Sequence, residues 1–266
     1  MPDVLVQVAW RRRFALLWWS LGVLAADVLL AVAYPTVRDN SELDRTFGGL
    51  PPGVQSALGL QAGAITSPAG YLNSQYFANL LPILLLVFGI GLAAWSIGGD
   101  EGAGTLELLL SNPVSRMRVT LERAGALALE LTVLTTVAGV GLVVLAPFTG
   151  LTKGLGSDRI LEAALAAGLL AITFSAVAFA VGAASGSRGA AIAIASALAV
   201  ALFMIEGLAA QVSVLRPIRE ASPWHWFLGT DPIRHGLLWQ SWALPLAASV
   251  AVIVIGGARF VRRSLR

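Results

Sequence analysis

Six apolar runs, each more than twenty residues long or close to it, constrain this chain more than any other feature. They cover about 14–36, 76–98, 124–148, 160–184, 190–212 and 241–260. A helix of roughly 20 residues crosses the hydrocarbon core of a bilayer and satisfies its own backbone polar groups there. The sequence therefore predicts an all-α polytopic membrane protein, with residues 1–266 forming a single transmembrane domain of six transmembrane helices.

Composition excludes a water-soluble fold and several kinds of site. The chain is 57% hydrophobic and 12% charged, whereas a soluble domain carries about 25% charged residues. Too little charge is present to cover a soluble surface of this size. The cysteine count is zero, which excludes disulfides, thiolate metal sites and thiol nucleophiles.

The distribution of basic residues predicts the orientation of the chain. With the N-terminus inside, the inner segments hold 11 of the 18 basic residues, and the longer outer segments hold 7. Because inner loops of membrane proteins are enriched in Lys and Arg, we expect a multi-pass protein of the cell membrane with both termini cytoplasmic. The net charge of +3 is thus a feature of membrane topology, and we expect no nucleic-acid partner.

Three polar segments have recognisable character. The segment from about residue 2 to residue 13 is predicted to form an N-terminal interfacial helix. A short surface helix is predicted after Pro52, in the first outer loop. The outer segment of about 213–240 combines prolines with several tryptophans, which is typical of a re-entrant segment that dips into the outer leaflet or lies on it.

The chain lacks the residue constellations that catalysis requires. Its two histidines, His225 and His235, lie in the outer segment without a spacing that would form a metal site, and they are expected to be solvated. No GxxxxGK[ST] motif is present, so any ATP must be bound by another protein. We expect no enzyme activity, no catalytic residue, no metal site and no cofactor in this chain.

Three acidic residues, Asp27, Glu130 and Glu206, fall inside predicted spans. A charged group at the centre of a membrane helix costs about 2.5–3.5 kcal/mol, so each is a functional candidate. Glu130 lies near the inner charge cluster, where it can reach Arg123 or the headgroups, and its role is expected to be structural.

For Asp27 and Glu206 the sequence leaves two alternatives open. They either pair across the bundle or line a hydrated translocation path. A proton-coupled secondary transporter would use such acids, but the chain shows no inverted repeat and no matching pair of broken helices. That class is therefore the alternative function, and a membrane scaffold or insertion factor is a third.

The segment of about 99–123 is polar between two apolar spans. Leu106, Leu109 and Leu110 share one face of two helical turns. Asn112 and Pro113 then end that helix and begin the next. A short amphipathic helix across the base of the bundle is predicted.

This segment carries a specific motif. The stretch EGAGTLELLLSNPVSRMRV resembles the signature loop of ABC-2 type permeases, in which an E-x-G-T-L-E-L-L-L-S-x-P-V-S-R pattern precedes the third span. The residues that fit are Glu101, Gly104, Thr105, Leu106, Glu107, Leu108, Leu109, Leu110, Ser111, Pro113, Val114, Ser115 and Arg116. One extra residue between Glu101 and Gly104 departs from the pattern. Outside the motif, the resemblance is to the six-helix layout.

The resemblance implies an ABC-2, type V exporter-like architecture in which the segment is a cytoplasmic coupling helix that docks on an ABC ATPase subunit. That subunit would bind ATP and Mg. The residues implied in coupling are Glu101, Thr105, Leu106, Glu107, Leu109, Leu110, Pro113 and Arg116. A second copy or a similar permease would complete the transporter in membrane lipid, with a path at the seam of the first, second and fifth spans. The apolar residues suit a lipid-like or amphipathic drug-like cargo, and the sequence identifies no particular substrate.

Overall fold

The computed structural model describes residues 4–51, 54, 65–102, 115–209 and 211–262, and all regular structure within them is helical. Seven longer helices follow in order: α1 (Val4–Arg38), α2 (Ser41–Gly48), α3 (Pro68–Gly102), α4 (Arg116–Thr149), α5 (Ser157–Ser185), α6 (Arg188–Leu208) and α7 (Trp239–Arg262). All except α2 are long and apolar enough to cross a membrane. The prediction of an all-α protein with six membrane-spanning helices is confirmed.

Helix α1 differs from the prediction at its start. The interfacial helix expected at about 2–13 is not separate, because α1 continues without interruption from Val4 into the first span. The sequence from Val4 to Ser20 contains no proline or glycine, and arginine is a good helix former. The three consecutive arginines therefore extend the spanning helix.

Other boundaries also shift. Helix α3 begins at Pro68, eight residues before the predicted start, where Ser67 caps it by accepting a hydrogen bond from the Gly70 amide at 3.1 Å. Helix α6 ends at Leu208, not at residue 212. Helix α2 was not predicted, and the surface helix expected after Pro52 lies almost entirely outside the described residues.

Helix α5 is the centre of the bundle. Its apolar stretch is 72% buried, compared with 22% for α1 and for α6. It packs against α3, α4, α6 and α7, and alanine dominates its buried face. Small side chains let helix backbones approach closely, which favours association in a medium where the hydrophobic effect does not drive helices together.

Two glycines show how close the approaches are. A Cβ atom on Gly256 of α7 would lie 2.6 Å from Cα of Ala180 in α5, and one on Gly98 of α3 would lie 2.8 Å from the backbone nitrogen of Arg188 at the start of α6. In both places the obstacle is backbone, which has little freedom to move away. These contacts fix α7 against α5, and the end of α3 against α6.

The outer segment folds into four short helical stretches, Ser213–Leu215, Arg216–Glu220, Pro223–Leu228 and Pro232–His235. Trp224 is buried, and its indole N–H donates to the carbonyl oxygen of Ala199 at 2.9 Å. Ala199 lies nine residues before the end of α6, about 13 Å along the axis at 1.5 Å per residue. The segment thus inserts into the bundle at this point.

Replacing Gly256 with Ala is expected to destabilise the protein by about 1–3 kcal/mol, because the added methyl group overpacks the contact with Ala180. Thermal unfolding in detergent measures the effect. Gly22→Ala is the matched control, since a Cβ there meets nothing within 4 Å, and it should leave the unfolding temperature unchanged or slightly higher. Equal unfolding temperatures for the two variants would contradict the packing described here.

Candidate transport cleft and coupling region

Tyrosines join α1 to the beginning of α3. The chain has three, and all of them lie here; we call Tyr34, Tyr71 and Tyr76 the tyrosine clamp. The hydroxyl of Tyr34 donates to the carbonyl oxygen of Thr66 at 3.0 Å, and that of Tyr71 donates to the carbonyl oxygen of Leu30 at 3.0 Å. The rings of Tyr34 and Tyr71 lie 5.1 Å apart. The clamp closes this end of the space between α1 and α3.

Asp27 is part of the same junction. Its side chain is fully buried, and its Oδ1 atom accepts a hydrogen bond from the Tyr76 hydroxyl. Its Oδ2 atom has no hydrogen-bond partner in the described part of the chain. This hydrogen bond joins α1 to α3, and a place for Asp27 on the translocation path stays a prediction.

Glu206 has partners from the outer segment. Its Oε1 atom accepts hydrogen bonds from Nε and Nη2 of Arg219 at 3.1 and 3.0 Å, and Nδ1 of His225 lies 3.2 Å from the same oxygen. These contacts of Glu206 link the end of α6 to the outer segment. His225, expected to be merely solvated, instead lies half-buried beside this carboxylate.

At the other end α1 and α3 separate. Helix α1 packs along α4 and contacts α3 only sparsely, which leaves a cavity of about 620 Å³. We call this cavity the cleft. Its lining includes Arg12 and Trp19 from α1, Trp95 and Asp100 from α3, and Arg123 and Glu130 from α4. The tyrosine clamp closes the space at one end, and the cleft opens it at the end where the arginines are concentrated.

Arg123 joins the two helices that flank the predicted coupling helix. Its Nη2 atom lies 2.7 Å from Oδ2 of Asp100, and both side chains are largely buried. The pair ties the end of α3 to the first turns of α4. The sequence left open whether Glu130 reaches Arg123 or lies near the headgroups. In the structure Arg123 pairs with Asp100, and Glu130 lies seven residues further along α4, about 10 Å deeper.

Only two of the predicted coupling residues fall within the described part of the chain. Glu101 is half-buried in the last turn of α3. Arg116 begins α4, where its Nη1 donates to the carbonyl oxygen of Phe260 at 3.3 Å and its guanidinium lies 5.6 Å from the Phe260 ring. The predicted residues that lie outside the description are Thr105, Leu106, Glu107, Leu109, Leu110 and Pro113.

Sequence reasoning missed several residues of this region. Asp100 was not singled out, although it anchors Arg123, and neither were the tyrosines. The sequence held a weak signal for Asp100. This acid ends the second apolar span, and a cluster of basic residues precedes the third. Among the described residues, no group of three His, Cys, Asp or Glu side chains is placed to hold a metal ion.

Replacing Tyr76 with Phe is expected to destabilise the protein by about 1–3 kcal/mol, because it removes the one hydrogen-bond donor that Asp27 has in the described part of the chain. Asp27→Asn is the matched comparison, since an amide oxygen still accepts from Tyr76 and the buried charge is removed. That variant should unfold at or above the wild-type temperature in detergent. An unchanged unfolding temperature for Tyr76→Phe would show that the pair contributes nothing to stability.

Comparison with known proteins identifies the family. The family model described as ABC-2 family transporter protein matches residues 17–265, a range that includes most of the first span, the other five spans and the coupling region. A comparison with curated proteins found no match. The matched range covers nearly the whole chain and agrees with the signature stretch that follows the second span. The chain is therefore a member of the ABC-2 transporter family and a multi-pass membrane component of the transport machinery.

Proposed function

We propose that this chain is the transmembrane permease subunit of an ATP-binding cassette exporter and that it works with a separate ATPase subunit. The observation that carries the proposal is the family match over residues 17–265, together with the signature stretch located between α3 and α4. In this assignment ATP and Mg are bound by the partner, and this chain forms the translocation path and catalyses no reaction.

The coupling region is arranged to transmit movement. The ion pair of Asp100 with Arg123 joins the end of α3 to α4. Arg116 joins the start of α4 to the last turns of α7. Gly98 lets α3 contact the backbone at the start of α6. A partner that displaces the segment between α3 and α4 would therefore move several helices together, as expected of a lever in a bistable bundle.

The chain is proposed to lie in the cell membrane with both termini cytoplasmic. In that orientation the cleft opens to the cytoplasm and the tyrosine clamp closes the outer side, which is an inward-facing arrangement. A second copy, or a similar permease, would supply the other half of a twelve-helix transporter. ATP binding to the partner would then shift the packing of α1 and α3 so that the path opens outward.

The proton-coupled alternative finds less support. It requires Asp27 and Glu206 to exchange protons with water along a path. Asp27 is fully buried against Tyr76, and Glu206 is held by Arg219 and His225. Acids engaged in this way are better suited to joining helices than to relaying protons.

Co-purification tests the coupling assignment. A tagged wild-type chain is expected to bring down an ABC ATPase encoded beside it. The double change Leu109→Asp and Leu110→Asp should reduce the recovered ATPase at least about tenfold, because it places two charges in an apolar contact. Val214→Asp is the matched control, since Val214 is an exposed apolar residue of the outer segment.

Gel filtration of both variants establishes that the permease remains folded. We call Leu106, Leu109 and Leu110 the leucine ridge. Recovery of the ATPase at wild-type levels from the folded double variant would contradict a coupling role for this ridge. Absence of any ATPase from the wild-type preparation would contradict the proposed function itself.

A further inference from the structure

The cleft contains a buried cation with unused hydrogen-bond donors. Arg123 is only 5% exposed, and Asp100 engages its Nη2 atom. Its Nε and Nη1 atoms have no partner in the described part of the chain. A buried donor without an acceptor is costly, and more so when the group is charged. Such a group in a folded protein requires an explanation, and an anion bound in the cleft would supply the missing acceptors.

The charges around Arg123 favour an anion. Arg12 and Arg188 also line the cleft, whereas the acids among its described lining residues are Asp100 and Glu130. Asp100 is already paired with Arg123, and Arg12 lies close enough to Glu130 for electrostatic attraction. Among the described lining residues, three guanidinium groups against two carboxylates leave one net positive charge. Guanidinium groups are well suited to bind phosphate and carboxylate groups because they donate two parallel hydrogen bonds.

The remaining walls of the cleft are aromatic and apolar. The guanidinium groups of Arg12 and Arg188 lie 5.8 and 6.0 Å from the Trp95 ring. Deeper in, Trp19 packs against Phe88 with ring centroids 5.5 Å apart. The cleft is therefore positively charged at the end of the bundle where Arg12 and Arg188 lie, and apolar along its walls.

The cleft is also accessible from the side. Ala15 of α1 and Val87 of α3 both line it, and both are exposed at the surface of the bundle. This opening faces the region that lipid chains occupy in a membrane. A molecule with a polar head and an apolar body can enter with the head among the arginines and the body between α1 and α3.

We infer that the cleft is a binding site for anionic amphipathic molecules, whose phosphate or carboxylate head contacts Arg123, Arg12 and Arg188 and whose apolar body lies against Trp95 and Trp19. The role of such a molecule as transported cargo rests on the proposed function, but its binding does not. The same head chemistry is found in membrane phospholipids and in free amphiphiles, and the experiment separates these sources.

Isothermal titration calorimetry on the full chain in phosphatidylcholine nanodiscs tests the inference, with empty nanodiscs as the baseline for partitioning. Three probes separate head from body: dodecyl phosphate, dodecyltrimethylammonium and inorganic phosphate. Dodecyl phosphate is expected to bind at least about tenfold more tightly than either of the others, a difference of about 1.4 kcal/mol.

Three variants locate the site. Arg188→Gln should weaken the binding of dodecyl phosphate about tenfold, and because Arg188 is exposed the fold should not depend on it. Arg123→Lys keeps a charge beside Asp100 but lacks the guanidinium fork, so it should weaken binding, and thermal unfolding establishes that the variant is folded. Arg216→Gln removes an exposed charge from the outer segment and is the matched control, with unchanged binding.

A competition experiment distinguishes membrane phospholipids from free amphiphiles as the natural ligand. Adding phosphatidic acid to the nanodiscs should weaken the apparent binding of dodecyl phosphate if phospholipids enter the cleft, and leave it unchanged if only free amphiphiles do. Either result is compatible with the site. Equal binding of the cationic probe, equal binding of inorganic phosphate, or wild-type binding by both Arg188→Gln and Arg123→Lys would overturn it.

Failure of this inference and failure of the proposed function give different results. Arg188→Gln should still recover the ATPase in the co-purification experiment, since Arg188 lies outside the leucine ridge. Binding of dodecyl phosphate without any recovered ATPase would leave the site in place and remove the exporter assignment. Recovery of the ATPase without selective binding of dodecyl phosphate would support the exporter assignment and overturn the binding site.

Discussion

Close packing of four helices against α5 is the contact on which the rest of this structure depends. In a bilayer, helices gain little from burying apolar side chains against each other, so association depends on close approach of their backbones. The alanine-rich surface of α5 permits that approach for α3, α4, α6 and α7. Helix α1 stands outside this core, packed along α4 and joined to α3 by the tyrosine clamp.

The peripheral position of α1 explains why the cleft forms where it does. Hydroxyl groups of the clamp join α1 and α3 at one end, and charged side chains occupy the space between them at the other. In the described part of the chain, Arg123 is buried in this space, pairs with Asp100, and keeps two nitrogen atoms without a hydrogen-bond acceptor. The same ion pair ties the helices that flank the coupling segment. In the proposed mechanism, binding in the cleft and movement of that segment would act on one pair of residues, Asp100 and Arg123.

The features that the sequence predicted are those that depend on composition along the chain. Six apolar runs give six spans whatever their arrangement, and the signature stretch identifies the family without knowledge of its contacts. The start of α1 was predicted less well, because a run of arginines next to an apolar segment is compatible with a separate interfacial helix and with a continuous one.

Pairings between distant residues could not be predicted. Asp27 meets Tyr76, which lies 49 residues away in the chain, and Glu206 meets Arg219 and His225 in a segment without helical periodicity. Each pairing depends on which helix faces come together. A span that is apolar on all sides does not show in its sequence which face contacts another helix. Sequence reasoning therefore identified the buried acids as candidates but left their partners open.

We propose, above all, that the cleft between α1 and α3 is part of a path gated by the nucleotide state of a partner. Because the chain has no cysteine, a single Ser96→Cys change places a unique thiol in the lining of the cleft. Labelling by a membrane-impermeant maleimide, applied from the cytoplasmic side to membranes with the ATPase present, reports access to it. We expect ready labelling of Ser96→Cys without nucleotide and strong protection with a non-hydrolysable ATP analogue. Labelling of the control Ser213→Cys from the outer side should be the same in both nucleotide states. Equal labelling of Ser96→Cys in the two nucleotide states would contradict it.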